Sequence, residues 1–587
     1  MSKEQVQQDQ LNEITQKVID GQILGIDLLS PEDEKSLIIG LAHLYKADAI
    51  AYAPALKDVK DSRILGDGVG IGDIKKRVAQ IIEENEPKAL SGSGDDFDVL
   101  ISIAKEECEL WRDTVRETFA TFQRGGHLEN HRVASRDFID FIRDKFFEGF
   151  DRYPDKDQVN KALYHIENIG RRGEEKSPKI RVIWFQGELW IDLGRDDWQG
   201  IRITADGWRV VPRIEAPLIR GNGMRPLPLP QRGGSISDLK NFIVLKDDNF
   251  VLFCGAMTTI FNVFGNYLTL ILCGPPGSTK TTATRVIRRL TDPHEIDTRR
   301  FSNARDLLHG AGNTHVIGFE NVGEISDALS DTICALNTGT GYSERRYYNQ
   351  GIEWMAKYHS PVMLNGVPFN LVERSDLANR CITFAFNYLG DDVRSDELFW
   401  REFGEAMPKL FGVILDGIVG ALRSRRDYDA DNDRAAEELL GWRPRFVDAA
   451  VWAEAACRTM GFEPGAFSRA YKSNRDFALR QIGEHDPLCV GIRRLISKVG
   501  EWEGIPSELL HDLRRYVSDL SSDVWLARRL PAAIPILHNI YGIEVLMNLP
   551  TSNGNGNGVH IGQVSKVSKP EGSPKTKTEK ENSYRRM

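Results

Sequence analysis

Lys280 stands at the end of a turn made of Gly274, Pro275, Pro276, Gly277, Ser278 and Thr279, and is followed by Thr281 and Thr282. Glycines let backbone N–H groups turn inward around phosphate oxygens. A lysine at that spacing reaches the β- and γ-phosphates, and the hydroxyl after it ligates magnesium. These residue types bind a nucleoside triphosphate, and ATP with Mg2+ is the expected pair. Thr279 is the one departure, because the usual pattern has its second glycine there. Apolar Leu268, Leu270, Ile271 and Leu272 predict a strand before the turn, and Val286, Ile287 and Leu290 an amphipathic helix after it. Strand, loop and helix in this order present a phosphate to a helix N-terminus. The plainer alternative is a strand-to-helix turn that holds nothing.

Downstream, THVIGFENV (Thr314–Val322) is a short apolar run ending in a carboxylate. A buried strand that delivers an acid to its C-terminal edge is where a magnesium-organising residue belongs, so Glu320 takes that role beside Thr281. Aspartate is the usual residue there. Asn321 stands where a glutamate commonly activates the attacking water, which leaves the general base open between Glu320 and Glu324. After a helix over Ile325–Leu336, Tyr342–Tyr348 and Ile352–His359 flank Asn349-Gln350-Gly351 and predict a β-hairpin. It carries Arg345, Arg346, Tyr347 and Lys357, candidate contacts to DNA. The strand SPVMLN sets Asn365 at its end, where an amide can orient water against a γ-phosphate. Arg380 sits at the mouth of the next apolar strand; beside a neighbouring subunit's nucleotide it would be an arginine finger.

The elements that must hold these groups belong to a chain of 587 residues, too long for one core. No apolar run reaches membrane-spanning length and MSKEQVQQDQ lacks a signal-peptide pattern, so a cytoplasmic protein with no membrane partner is expected. The 7 cysteines are scattered singly, against a disulfide framework or a zinc module. A net charge of −9 leaves any nucleic-acid surface local. There is no internal repeat.

Residues 1–90 read as a polar helical region. An α+β accessory domain is expected over 97–215, where IRVIWFQGELWIDLG and IRITADGWRVV alternate around Asp206-Gly207 as an antiparallel sheet. Its Trp184, Trp190, Trp198 and Trp208 are read as core rather than as base-stacking platforms. The pairs Asp96/Asp98 and Asp155/Asp157 sit in turn-like sequence and read as solvated acids, so no primase site is evident. A Pro/Gly linker covers 216–235, the ATPase core 236–393, and a helical lid and connector 394–486. Three short helices and a terminal strand over 487–549 make a winged-helix-like layout. Arg528 and Arg529 lie on its last helix, which Pro531 and Pro535 should shorten; DNA contact and protein docking both remain open. A disordered tail is expected from 550 to 587.

Taken in order, GPPGSTKTT, VIGFENV, ERRYYNQG, PVMLNG and DLANRCITFAF, all within residues 268–386, resemble the motifs of a superfamily 3 helicase in the wider AAA+ class. The resemblance implies an α/β P-loop AAA+ core. In papillomavirus-type and poxvirus-type replicative helicases, similar segments form a hexameric ring. Hairpins line its pore and grip single-stranded DNA, and an arginine after the Asn strand reaches the next subunit's ATP. The GPPGS-x-K loop is also similar to that of minichromosome-maintenance helicases, which tolerate a non-glycine residue before the lysine. Outside the core, the DLG…ADGW segment, the GG tether and a C-terminal W-x-G-x-x-x-x-L-L segment resemble helicase-like ATPases of bacterial prophages and integrative elements.

The function expected from these readings is an ATP-driven DNA helicase or translocase, acting as a ring homo-oligomer, with a separate primase or loader as a further partner. The alternative is an ATPase switch that binds or remodels a partner without unwinding, for which the altered Glu320-Asn321 pair speaks. A third, a DNA-binding initiator with a relict ATP site, ranks behind both.

Overall fold

The computed structural model describes residues 95–300, 304–339, 341–345, 353–366, 374–388, 394–518, 520–549 and 558–563, together with 69–85 and scattered positions between 37 and 65. They fall into two compact units, one of residues 1–108 with 133–169, the other of residues 109–132 with 170–587.

The first unit is helical. Asp96–Glu107 buries Val99, Leu100 and Ile103, and Arg136–Phe150 buries Phe138, Phe141, Ile142 and Phe146. Ser135 starts the latter helix by accepting the Phe138 N–H. The acid pairs serve this local architecture. Asp96 accepts two hydrogen bonds from Arg152 and one from the Asp155 N–H, and Asp155 in turn accepts the Asp157 N–H. Among the described residues no cluster of three or more His, Cys, Asp or Glu side chains could hold a metal ion.

The second unit is built on a five-stranded sheet. Its order is Arg299–Arg300, Ile317–Val322, Val362–Gly366, Thr269–Cys273 and Cys381–Ala385, and every pairing is parallel. Parallel strands are covered on both faces, so they read as continuous apolar runs; TLILC and VMLNG are buried throughout. The edge strand Cys381–Ala385 is blunted by an amide. Asn474 accepts the Thr383 N–H at 3.0 Å and donates to its carbonyl at 2.7 Å, as a sixth strand would.

The accessory module expected over 97–215 is not one body. Its sheet, Val182–Phe185, Glu188–Asp192, Gly200–Thr204 and Gly207–Val211, is antiparallel in chain order. One face, through Val182, Leu189, Ile191, Ile201, Ile203 and Trp208, shares the core of helices Asp247–Thr259, Asp396–Asp427 and Val447–Thr459. The intervening helices belong to the first unit instead. Trp190, Trp198 and Trp208 are buried, as expected, while Trp184 is partly exposed. The Pro/Gly linker is also bound down. Leu227 is buried and donates its N–H to Leu193, Gln231 donates to the Pro408 carbonyl, and a Cβ at Gly234 would strike Lys409.

Helices Asp396–Asp427, Asn432–Leu439, Val447–Thr459 and Ala466–His485 follow the sheet. The last region holds helices Pro487–Val499, Pro506–Leu513 and Asp523–Tyr541, with a three-stranded sheet Glu501–Gly504, Gly558–Gln563, Ile543–Leu549. Two expectations change here. Pro531 and Pro535 do not shorten their helix, which runs through both from Asp523 to Tyr541 with Pro531 on its exposed face. The expected tail from residue 550 gives up Gly558–Gln563 to the middle of the sheet, where Val559 and Ile561 are buried. The other residues of that tail lie outside the described ones.

Candidate nucleotide-binding site

The phosphate-loop strand ends at Cys273, and the helix Lys280–Thr291 begins six residues after Gly274. Between them the chain turns twice into left-handed backbone, at Gly277 (φ 75°) and at Thr279 (φ 59°). The second is the glycine-like conformation at the position where the sequence lacks its glycine. A β-branched residue there is strained, and such strain gathers where a ligand is held. Gly274 has a plain steric reason: a Cβ would come within 2.5 Å of the Phe386 carbonyl oxygen and 2.6 Å of Ser278 Oγ.

Thr279 makes no side-chain cap to its helix, and the Ala283 N–H to the Thr279 carbonyl is the bond that opens it. Among the described residues, the earlier N–H groups of Gly277, Ser278 and Thr279 meet no backbone acceptor. Ser278 Oγ is buried with no hydrogen-bond partner. Uncapped donors at a helix start and an orphaned hydroxyl within the loop fit a bound polyphosphate. Lys280 Nζ folds back over the loop and donates to the Pro275 carbonyl at 3.0 Å. Burial draws its ammonium below the ordinary lysine value, against a small opposing pull from Cys273.

Asn365 pairs with Leu272 one position before the phosphate-loop strand ends. Its amide donates to Thr281 Oγ1 at 3.3 Å and lies 3.5 Å from Thr284 Oγ1. On the far side of Asn365 the register breaks. Phe319 faces Leu364 and Val322 faces Gly366, so Glu320 and Asn321 together oppose Asn365 alone. This is a bulge, and Asn321 absorbs it in left-handed backbone at φ 55° with its side chain exposed. The Glu320 carboxylate is held from the sheet's edge: its Oε2 accepts the Thr298 hydroxyl at 2.8 Å. Glu324, the other candidate base, is exposed. The Thr281 hydroxyl and the Glu320 carboxylate are oxygen donors of the kind magnesium takes, and the ion would supply charge neutralisation on the phosphates.

Arg380 is elsewhere. It precedes the strand Cys381–Ala385, at the end of the sheet opposite the phosphate loop. Its side chain is only 11 % exposed, donates to Asp376 at 3.2 Å, and leans on the Phe446 ring. Its Nε is buried without a partner. Gly341–Arg345 and Glu353–Lys357 pair antiparallel as the predicted hairpin, Arg345 across from Glu353 and Lys357 across from Gly341. Arg346 and Tyr347 lie outside the described residues. Sequence reasoning missed Thr298, whose hydroxyl in a polar stretch gives no periodic signal.

Residues 245–438 match the family described as "Actinomycete integrative conjugative element replication protein". That is about a third of the chain and holds every residue of the site. No curated protein matches. Among solved structures the chain is similar to SCCmec type IV Cch, described as an active helicase, at 11% identity and TM-score 0.39, covering 78% of this chain and 93% of that one. It is also similar to the apo C-terminal region of NrS-1 (residues 305–718), at 12% identity and TM-score 0.35, covering 75% of this chain and 96% of that one. No helix among the described residues is long and apolar enough to cross a membrane.

Proposed function

We propose that the chain is an ATP-dependent DNA helicase or translocase, working as a ring oligomer, a hexamer by its motifs, in the replication of a mobile element. What supports this reading is that the Asn365 amide donates to Thr281 Oγ1 at the start of the helix after the loop, with Glu320 on the next strand of the same parallel sheet. In it, Gly274 to Thr282 cradle the phosphates, Lys280 draws charge off the γ-phosphoryl group, and Thr281 with Glu320 holds magnesium. Asn365 orients the attacking water, Arg380 acts on the neighbouring subunit's site, and the hairpin with Arg345, Arg346, Tyr347 and Lys357 grips single-stranded DNA in the pore. The mobile-element setting rests on the family match over 245–438. A primase or loader would be a separate partner.

One observation favours a second reading. With Asn321 exposed at a bulge, the position next to Glu320 offers no carboxylate to the water. Slow hydrolysis suits a switch that binds or remodels a partner better than a motor. A strand-displacement assay with ATP and with a non-hydrolysable analogue separates the two. ATP-dependent unwinding supports the helicase. ATP binding without unwinding, at any DNA end geometry, leaves the switch.

A further inference from the structure

We infer that Tyr388 is the stacking platform for the base of the bound nucleotide, so that the site takes purine nucleoside triphosphates by ring overlap rather than by reading their polar edges. The inference rests on the nucleotide-site reading above. After the strand Cys381–Ala385 the chain continues along the phosphate-loop strand, with the Phe386 N–H donating to the Cys273 carbonyl at 2.8 Å. Two residues later it sets Tyr388 at the lip of the loop. The ring lies against Gly277: a Cβ there would meet its Cε2 at 3.0 Å and its Cδ2 at 3.4 Å. Yet the residue is 64% exposed, a large aromatic held beside the loop and left open to solvent.

The sheet order gives this position its direction. From the phosphate-loop strand, Asn365 and then Glu320 lie on successive strands to one side, and the strand leading to Tyr388 lies on the other. A nucleotide whose terminal phosphate points toward Asn365 and Glu320 carries its base the opposite way, toward the Tyr388 flank. A tyrosine has few rotamers to lose on stacking, and every base offers a π face, with purines the larger.

The test is calorimetric binding of ATP, GTP, UTP and inorganic triphosphate, each with magnesium, to the full chain and to Tyr388→Ala and Tyr388→Phe. The expected wild-type order is ATP and GTP alike, then UTP, then triphosphate. Tyr388→Ala should weaken ATP and GTP by about tenfold, leave triphosphate unchanged, and flatten the differences among the bases; Tyr388→Phe should keep the wild-type order. Equal weakening of ATP and triphosphate by Tyr388→Ala would mean the ring props the loop, and overturns the inference. So would an unchanged ATP affinity. If wild type binds triphosphate as tightly as ATP, the inference falls while the phosphate site stands. If it binds neither, the nucleotide-site reading falls and takes this one with it.

Discussion

Arg181 and Asp292 form an ion pair with no access to solvent, Nε to Oδ1 at 2.9 Å. Arg181 opens the accessory sheet, and Asp292 follows the helix whose first residue is Lys280. Every guanidinium nitrogen of Arg181 is used, on Asp292 and on the carbonyls of Asp192, Arg225 and Pro293. Asp292 also binds Arg288, the Thr314 hydroxyl and the Val316 N–H at the start of the Glu320 strand. One carboxylate therefore ties the accessory sheet, the phosphate-loop helix and the Glu320 strand together.

Removing one member leaves the other charge buried, which costs about 3–5 kcal/mol. Arg181→Met and Asp292→Asn should each lower the denaturant midpoint of the full chain accordingly. Burial by itself would raise the Asp292 carboxyl, but Arg181 and Arg288 outweigh it and hold it well below the usual carboxylate range. A folded value below the unfolded one, about 3.9 for aspartate, means the pair adds stability above that pH and gives it up on acidification below it. Wild type should therefore lose stability below about pH 4 more steeply than Asp292→Asn does. Parallel acid limbs would refute the assignment.

Thr279 offers the opposite sign. An L-residue in the left-handed region costs roughly 1–2 kcal/mol, and glycine escapes that cost at some loss of chain entropy. Thr279→Gly should raise the thermal midpoint of the nucleotide-free chain slightly, by a net of about 1 kcal/mol or less, and keep ATP affinity. A fall in affinity would show that the threonine side chain itself meets the nucleotide.

For Arg380 the inward pose sets the terms. If it acts on a neighbour, it must leave Asp376 when subunits meet. Arg380→Ala should then keep ATP binding and lose turnover by on the order of 10³-fold or more. Mixing it with Lys280→Ala protein should restore part of the activity, since one mixed interface carries both an intact loop and an intact arginine. A purely structural arginine predicts a lower melting temperature and no recovery on mixing.

What the sequence made legible was local. An apolar run, a glycine turn and a helical stripe predict strand, turn and helix without any distant partner, and that order is found at Thr269–Cys273 and Lys280–Thr291. The apolar strands and the hairpin follow from composition in the same way. The bulge at Glu320 and Asn321 was not legible, because it is a mismatch in register with Asn365, and register belongs to two strands at once. Nothing local in IRVIWFQGELWIDLG marks Arg181 as buried; its burial depends on Asp292, far along the chain. Gly558–Gln563 lies between runs of Gly, Asn and Lys, and only its pairing with Glu501–Gly504 and Ile543–Leu549 makes it a strand.

The last prediction separates a DNA motor from a generic switch. The hairpin register sets Arg345 across from Glu353 and Lys357 across from Gly341. By register, Arg345 and Lys357 stand at positions of the same parity on the paired strands; Arg346, next in sequence, lies outside the described residues. If the ribbon grips phosphate with one face, Arg345→Ala and Lys357→Ala should act alike and Arg346→Ala should not. Each effective loss should weaken single-stranded DNA binding and reduce the slope of log affinity against log salt by roughly 0.7–1. The double variant should lose about twice that, and DNA-independent ATP turnover should stay intact in all of them. Should Arg346→Ala alone move the slope, the gripping face is the other one. Should none of the three move it, these residues are ordinary exposed charges of little individual weight. The pore would then not hold DNA here, and the remodelling switch would become the better account.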